Sequence, residues 1–177
     1  MTNGSPRSVR LLLVAAMAAA LFPGFSTAQG ASASGPAQAD TRQVAGAEII
    51  TSAGACLTVQ DGSDDAFILA EPCTGQDPQR FRLRPVEVGW YEIVTFVDKC
   101  AIVYHNLLGG TLRQERCGVY ADFERFSVVP VGDGWYEIVA ADNECLTTVP
   151  ADDLTFIETR PCTGDQTQRF RFRSVSA

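Results

Sequence analysis

The sequence predicts an all-β domain made of three repeats that close around a threefold axis. The fifteen residues from Arg80 to Val94 recur from Arg125 to Val139 with ten identities, and a shorter copy occupies Arg169 to Val175. Cysteines recur every 44 or 45 residues, and the two cysteines of each copy are 17 residues apart. Similarity at a fixed period indicates repeated structural units, which together bury an apolar face that one unit leaves exposed.

The strands of each repeat are predicted from alternating apolar residues. In the third copy, Tyr136 and Ile138 fall on one face of the segment Trp135 to Ala140, and Asp142-Asn143 then forms a turn. β-Branched and aromatic residues at period two, with turn clusters about every 8–12 residues, are typical of a barrel or sandwich, so we expect about four short strands per repeat. Residues equivalent by repeat should share core layers: Phe81, Phe126 and Phe170 in one, Ile49, Ile93 and Ile138 in another.

Residues 1–28 are predicted to be a secretory signal peptide, which makes the protein extracellular. Arg7 and Arg10 precede an apolar run from Leu11 to Phe22, and Ser26 and Ala28 supply the small residues of a cleavage site. The apolar run is too short for a transmembrane span, so no membrane span is expected.

The mature chain is predicted to be a leader followed by one domain. Residues 29–43 are mainly Ala, Ser, Gly and Gln without periodicity, which indicates a disordered leader. Residues 44–177, about 134 in number, suit a single domain with its own core. Its three repeats, called copies one, two and three below, span about 45–88, 89–133 and 134–177.

The charge of the mature chain excludes some classes of partner. Two of the 14 basic residues lie in the signal peptide, so 12 basic residues remain against 21 acidic ones, a net charge of −9. Such a surface argues against nucleic acid and anionic membranes as partners.

Six cysteines in an exported protein predict three disulfides. Six cysteines can pair in about 15 ways, and the repeat selects the pairing in which each copy closes its own loop. Each such bridge stabilises the fold by about 3 kcal/mol in the chain-entropy account. No cysteine pair has metal-ligand spacing and the chain has one histidine, so neither a metal nor another cofactor is expected. The predicted bridges are Cys56–Cys73, Cys100–Cys117 and Cys145–Cys162.

The repeated motif resembles that of the ricin B-type β-trefoil lectins over Ala45 to the C-terminus. The family pattern has C-L-x-V, a second cysteine, and Q-x-W, with Phe replacing Trp in all three copies here. Copy two departs further, with Ile102 after Cys100-Ala101 and Glu124 in place of the glutamine. The resemblance implies a β-trefoil with pseudo-threefold symmetry and a lectin-like, carbohydrate-binding function. The matching segments are Cys56-Leu57-Thr58-Val59 with Gln79-Arg80-Phe81, and Cys145-Leu146-Thr147-Thr148 with Gln168-Arg169-Phe170.

The sugar-binding part of the family motif is not retained. The family's galactose site uses an Asp two residues after the first cysteine, an aromatic residue two before the second, and an Asn before the glutamine. A charged acceptor and an aromatic ring together hold the hydroxyls and the C–H face of the sugar. We therefore expect a weak or non-standard glycan site. The positions of the family's Asp are occupied here by Thr58, Ile102 and Thr147. Those of the aromatic residue are occupied by Glu71, Glu115 and Arg160, and those of the Asn by Pro78, Phe123 and Thr167.

Six residues are candidates for contact with a glycan or glycoprotein. Two of the three pairs have a structural alternative: the glutamines can brace a turn, and the tryptophans can cover the outside of the barrel against loops. The candidates are Thr58, Gln79, Trp90, Trp135, Thr147 and Gln168.

Other polar residues are expected to lie at the surface without a binding or catalytic role. His105 has no identifiable partner and is expected to be a surface loop residue. Asp61, Asp64 and Asp65 do not fit a calcium-loop register and are expected to form a solvated turn. No nucleophile elbow, phosphate loop or metal cluster is present in the sequence, so an enzyme is not expected.

Two main hypotheses for function therefore stand side by side, and a structural secreted protein with no ligand is a third possibility. The first is a secreted lectin-like β-trefoil with a non-standard carbohydrate site. The second is a β-trefoil that acts through its loops as a protease inhibitor or other protein-binding module. The longest variable loops, Val103 to Gly110 and Cys117 to Asp122, both belong to copy two, which favours one special site over three equal ones.

The disulfide pairing can be checked on the purified protein. Mass spectrometry of non-reduced proteolytic peptides should find each first-position cysteine linked to the cysteine 17 residues later. A bridge between two copies would contradict the repeat argument.

Overall fold

The computed structural model describes residues 46–106 and 109–175. The predicted signal peptide, at 1–28, and leader, at 29–43, lie outside the described residues. Within the described ranges, no helix has the length and apolar character needed to cross a membrane.

The described residues form twelve strands and two short 3-10 helices, which confirms the all-β prediction. Four strands fall in each of the ranges 45–88, 89–133 and 134–177. The 3-10 helices, Asp77–Gln79 and Gln166–Gln168, precede the repeated phenylalanine of copies one and three. The strands are β1 Ala47–Thr51, β2 Cys56–Val59, β3 Ile68–Glu71, β4 Arg82–Glu87, β5 Trp90–Val94, β6 Cys100–Asn106, β7 Gly109–Glu115, β8 Phe126–Gly132, β9 Trp135–Ala140, β10 Glu144–Ala151, β11 Leu154–Pro161 and β12 Phe170–Ser174.

Six of the strands pair in a closed ring. Strand β4 pairs with β5, β8 with β9, and β12 with β1, all antiparallel. The pairing of β12 with β1 joins the two ends of the domain, where Arg173 donates to Glu48 at 2.6 Å. Closure of this kind leaves no long unpaired edge on the ring. The ring is completed by three bridges at positions equivalent by repeat: Ala47–Phe81, Tyr91–Phe126 and Tyr136–Phe170.

The other six strands form three hairpins that pair with one another. The hairpins are β2–β3, β6–β7 and β10–β11. Phe156 bridges Leu69 and Glu158 bridges Thr111, so the third hairpin touches the other two. One core cluster contains residues from the ring, such as Ile49, and from the hairpins, such as Leu146. The two groups of strands therefore share one core.

The residues predicted to form the core are buried as expected. Each of the six has at most 1% of its surface exposed, and all belong to the same cluster. Truncating a buried phenylalanine of this kind to alanine costs about 3–5 kcal/mol. The six are Phe81, Phe126, Phe170, Ile49, Ile93 and Ile138.

All three predicted disulfides are confirmed, and the described residues contain no free cysteine. The Cα atoms of the pairs are 4.9, 4.9 and 5.0 Å apart, within the usual range for such bridges. Each bridge ties the start of a hairpin to the loop that follows it. The pairs are Cys56–Cys73, Cys100–Cys117 and Cys145–Cys162.

Gly110 lies at a close contact between two hairpins. It pairs with Thr159 across β7 and β11, and a Cβ atom at this position would lie 2.3 Å from Thr159 Oγ1 and 2.6 Å from Val103 Cγ1. A side chain therefore cannot fit here without movement of both neighbours.

We predict that Gly110→Ala lowers the free energy of unfolding by about 1–3 kcal/mol, because overpacking forces the neighbouring strands apart. Chemical denaturation measures the change. Gly62→Ala is the matched control, since a Cβ atom there would meet Val97 at an ordinary 3.7 Å. Equal unfolding midpoints for the two variants would contradict the prediction.

Candidate functional site

In copy one, the predicted site residues Thr58 and Gln79 contact each other in a buried bracing network. Gln79 is 2% exposed, and its Oε1 accepts hydrogen bonds from the N–H groups of Thr74 at 2.7 Å and Gly75 at 3.2 Å. Its Nε2 donates to Thr58 Oγ1 and to the carbonyl oxygen of Pro72, both at 2.9 Å. The amide is fully used, so it holds the loop after Cys73 against strand β2.

Copy three repeats this network with Thr147 and Gln168. Gln168 Oε1 accepts from Thr163 N at 2.8 Å, and its Nε2 donates to Thr147 Oγ1 at 3.0 Å and to the Pro161 carbonyl oxygen at 2.9 Å. Both threonines are 8% exposed. The structure thus brings the four predicted residues together in two pairs, in the bracing arrangement. Their contact with a glycan stays a prediction.

Copy two has a different network at the same position. Glu124 is fully buried, and its two carboxylate oxygens accept hydrogen bonds from Gly118 N at 2.8 Å and Tyr120 N at 2.9 Å. A carboxylate has no N–H to donate, so the threonine acceptor of the other copies is not needed, and Ile102 stands in its place. With one extra residue between Cys117 and Phe126, the second N–H donor of this loop is the third residue after the cysteine, Tyr120, whereas in copy one it is the second, Gly75. Glu124 therefore fixes the backbone at Tyr120.

Beside this loop lies a small aromatic cavity, the copy-two pocket. Its volume is about 210 Å³. The side chains of Tyr104, Tyr120 and Phe123 are between 42% and 45% exposed, whereas Ile102 and Val103 are buried at its floor. Backbone hydrogen bonds set Phe123 in place, because its carbonyl oxygen accepts from Val103 N and its N–H donates to Tyr120. The lining residues are Ile102, Val103, Tyr104, His105, Tyr120 and Phe123.

His105 has a partner, so its assignment to an isolated loop position was wrong. It lies in strand β6, and its Nε2 is 3.2 Å from Asp142 Oδ2 in the turn between β9 and β10. Its ring is 5.4 Å from the ring of Phe123. Asp142 belongs to copy three, and only the packing of the two copies brings the pair together. His105 therefore joins the copy-two pocket to a carboxylate.

The two predicted tryptophans lie outside this pocket. Both are half-buried, and the guanidinium of Arg171 stacks 4.3 Å from the ring centroid of Trp135. Beside Trp90, the residue equivalent to Arg171 is Ser127. The equivalence follows from the repeat, because the pair Tyr91–Phe126 corresponds to the pair Tyr136–Phe170. A cation therefore covers one tryptophan face and a short side chain adjoins the other. Their role in glycan contact stays a prediction.

The acidic loop of copy one is neutralised by basic side chains. Lys99 Nζ lies 2.6 Å from Asp64, and Arg113 lies 2.7 Å from Asp65. A hydrogen bond from Ser63 lowers the pKa of Asp61, and one from Lys99 lowers the pKa of Asp64. The loop is thus a solvated turn with ion pairs, as predicted from its sequence.

One group of metal-type donors occurs among the described residues, at Glu92, Cys100 and Glu124. The sulfur of Cys100 is bonded to Cys117, so it is not a thiolate. Arg84 pairs with Glu92, and Glu124 already accepts two N–H groups. These contacts describe a satisfied polar cluster rather than a metal centre.

Solved structures share this fold at low sequence identity. The designed threefold-symmetric protein ThreeFoil is 22% identical, with a TM-score of 0.68 over 73% of this chain and 99% of its own. The Haemophilus ducreyi cytolethal distending toxin is 17% identical, with a TM-score of 0.64 over 73% of this chain and 83% of its own. No protein-family model and no curated protein matches the sequence.

A lectin is among the similar structures. The Polyporus squamosus lectin bound to the epitope Neu5Aca2-6Galb1-4GlcNAc is 14% identical, with a TM-score of 0.62. The match covers 73% of this chain and 49% of the lectin chain. Together these similarities show a trefoil-like fold that occurs in lectins and toxins.

The coupling of Glu124 with Ile102 can be tested by a double-mutant cycle. We predict that Glu124→Gln lowers the free energy of unfolding by about 1–3 kcal/mol, because an amide nitrogen cannot accept the Tyr120 N–H. Adding Ile102→Thr restores the acceptor that Gln79 uses in copy one, so the double variant should recover at least about 0.5 kcal/mol. Chemical denaturation of the four proteins gives the interaction energy. Strictly additive changes would contradict the coupling.

Proposed function

We propose that this chain is a secreted β-trefoil protein of the ricin B-like type that binds carbohydrate through the copy-two pocket and has no enzymatic activity. The three repeats, at about 45–88, 89–133 and 134–177, would form the trefoil. The observation that carries the proposal is the pocket itself. Three aromatic side chains surround a cavity at the position where the resembled family holds its sugar.

The composition of the pocket suits a single sugar unit. Aromatic faces cover the C–H face of a sugar, and Tyr104, Tyr120 and Phe123 provide such faces. Sites for drug-sized ligands occupy about 300–1,000 Å³, so a smaller cavity of about 210 Å³ suits one ring or one substituent. The tyrosine hydroxyls and His105, which is itself paired with Asp142, supply hydrogen-bonding groups.

The proposal places one site in each chain. In copies one and three, the equivalent threonine hydroxyls already bond the buried Gln79 and Gln168. A ligand there would have to displace a satisfied buried hydrogen bond. Copy two has no such bond at Ile102, and its loop carries Tyr120 and Phe123 instead.

Secretion is part of the proposal. Three disulfides form and persist in oxidising compartments, and small exported domains commonly use them to strengthen a limited core. The predicted signal peptide at residues 1–28 is consistent with this location.

The alternative of a protease inhibitor gains no support from the loop of copy two. An inhibitor needs a rigid loop that protrudes into an active-site cleft. Here the loop after Cys117 is tied inward, because Gly118 N and Tyr120 N both donate to buried Glu124. We therefore propose a glycan or glycoprotein as the partner.

The site can be located by glycan-array screening of variants. We predict that Tyr120→Ala with Phe123→Ala weakens glycan binding at least about tenfold, or about 1.4 kcal/mol, because the stacking surfaces are lost. Trp90→Ala with Trp135→Ala should leave binding within about twofold of wild type.

The two double variants control for each other. If both have the unfolding midpoint of the wild type, loss of the fold is excluded as the cause of weaker glycan binding. Binding that the tryptophan variant loses and the pocket variant keeps would move the site to the tryptophan face. No binding by the wild-type protein to a broad array would overturn the proposed function.

A further inference from the structure

We infer that the copy-two pocket selects sugars with a free, protonated amino group, such as unacetylated hexosamines. This inference rests on the proposed function, because it names the class of sugar that the same site takes. It follows from three features of the pocket: its aromatic walls, the paired histidine at its rim, and its charge.

The aromatic walls attract positive charge. The faces of Tyr and Phe rings carry partial negative charge and hold cations within about 6 Å of the ring centroid. At Tyr104 the protein makes such a contact itself, since the guanidinium of Arg113 lies 4.7 Å from the ring centroid and occupies that face. Tyr120 and Phe123 are the other two half-exposed rings of the pocket. An ammonium group entering the pocket would meet these rings.

When its imidazole is neutral, His105 offers an acceptor that matches an ammonium donor. Its Nε2 is paired with Asp142 Oδ2 at 3.2 Å. In a neutral imidazole that donates from Nε2, the other ring nitrogen, Nδ1, is a hydrogen-bond acceptor. An ammonium group has only donors, so it can bond Nδ1 while the negative charge of Asp142 lies behind the ring. An acetylated amine lacks the positive charge that this pair favours.

The charges around the pocket favour a cation. None of the six described residues that line it is lysine or arginine. Arg113, which contacts the wall at Tyr104, is itself paired with Asp65 at 2.7 Å. Buried Glu124 holds the Tyr120 loop from beneath. The net charge of −7 on the whole sequence raises the local concentration of cationic ligands.

The floor of the pocket disfavours a neutral hydroxyl as the main contact. Ile102 stands where the resembled family has the aspartate that holds sugar hydroxyls, and it is 2% exposed. A hydroxyl placed against it would give up water without gaining a charged acceptor. The rim of the pocket instead carries His105, which is paired with Asp142. An amino substituent would therefore be recognised at His105 rather than at the floor.

The test compares sugars that differ only at the amino group. Galactosamine, N-acetylgalactosamine and galactose, and the three glucose analogues, are titrated into the purified protein by calorimetry and ligand-observed NMR. We expect at least one free hexosamine to bind at least ten times more tightly than its acetylated and neutral counterparts. Raising NaCl from about 50 to about 500 mM should weaken that binding and leave neutral sugars unchanged.

A matched pair of variants tests the role of the rim. Asp142→Asn keeps the shape and an acceptor for His105 but removes the charge, so the preference for the free amine should fall to within about twofold. Asp153→Asn makes the same change at an exposed position in the turn between β10 and β11, and it should retain the preference.

The outcomes separate this inference from the proposed function. Equal or tighter binding of the neutral or acetylated sugar, lost in the Tyr120→Ala and Phe123→Ala variant, would overturn the inference and keep the glycan site. Binding of ethanolamine as tight as that of the hexosamine would overturn the choice of a sugar. Absence of hexosamine binding by the folded protein would overturn the inference, and glycan-array binding would then decide the proposed function alone.

Discussion

A buried polar side chain at one repeated position holds the loop after each second cysteine, and both the fold and the candidate site depend on it. Gln79, Glu124 and Gln168 are each at most 2% exposed, and each accepts backbone N–H groups from its loop. These N–H groups lie outside the strand ladders and need an acceptor once they are buried. The adjacent disulfide closes the same loop covalently, so a short segment without strand pairing keeps one shape.

The three copies satisfy this requirement with two matched sets of residues. An amide has a donor as well as an acceptor, and Gln79 and Gln168 are each accompanied by a threonine that receives the amide hydrogen. A carboxylate has acceptors alone, and Glu124 is accompanied by Ile102 and by a loop one residue longer, in which each carboxylate oxygen accepts its own N–H group. The change at one position thus forces changes at two others. Their joint effect is to present Tyr120 and Phe123 beside an apolar floor.

The fold was predictable because its determinants repeat along the chain. The site was not predictable, since it lies where the repeat is broken. The period gave the strands, the core phenylalanines and the disulfides, since equivalent positions must have equivalent environments in a closed ring. The pocket joins β6 to a loop that follows Cys117, and His105 of β6 pairs with Asp142 of the next copy, so only folding brings these residues together. The available signal was local: Phe123 is the aromatic exception at the family's asparagine position, and the longest variable loops belong to copy two.

A single glycan site at the copy-two pocket, as proposed above, would have a direct consequence for how the protein engages glycans. Three equal sites on one chain would allow simultaneous contacts, and linked contacts can raise apparent affinity by about 10²–10⁴ without any new interaction. Copies one and three cannot contribute in this way while their threonines bond Gln79 and Gln168. Selectivity must therefore come from the chemistry of one small pocket. Charge provides selectivity in a small space, because a carboxylate and aromatic faces distinguish an ammonium from a hydroxyl of similar size.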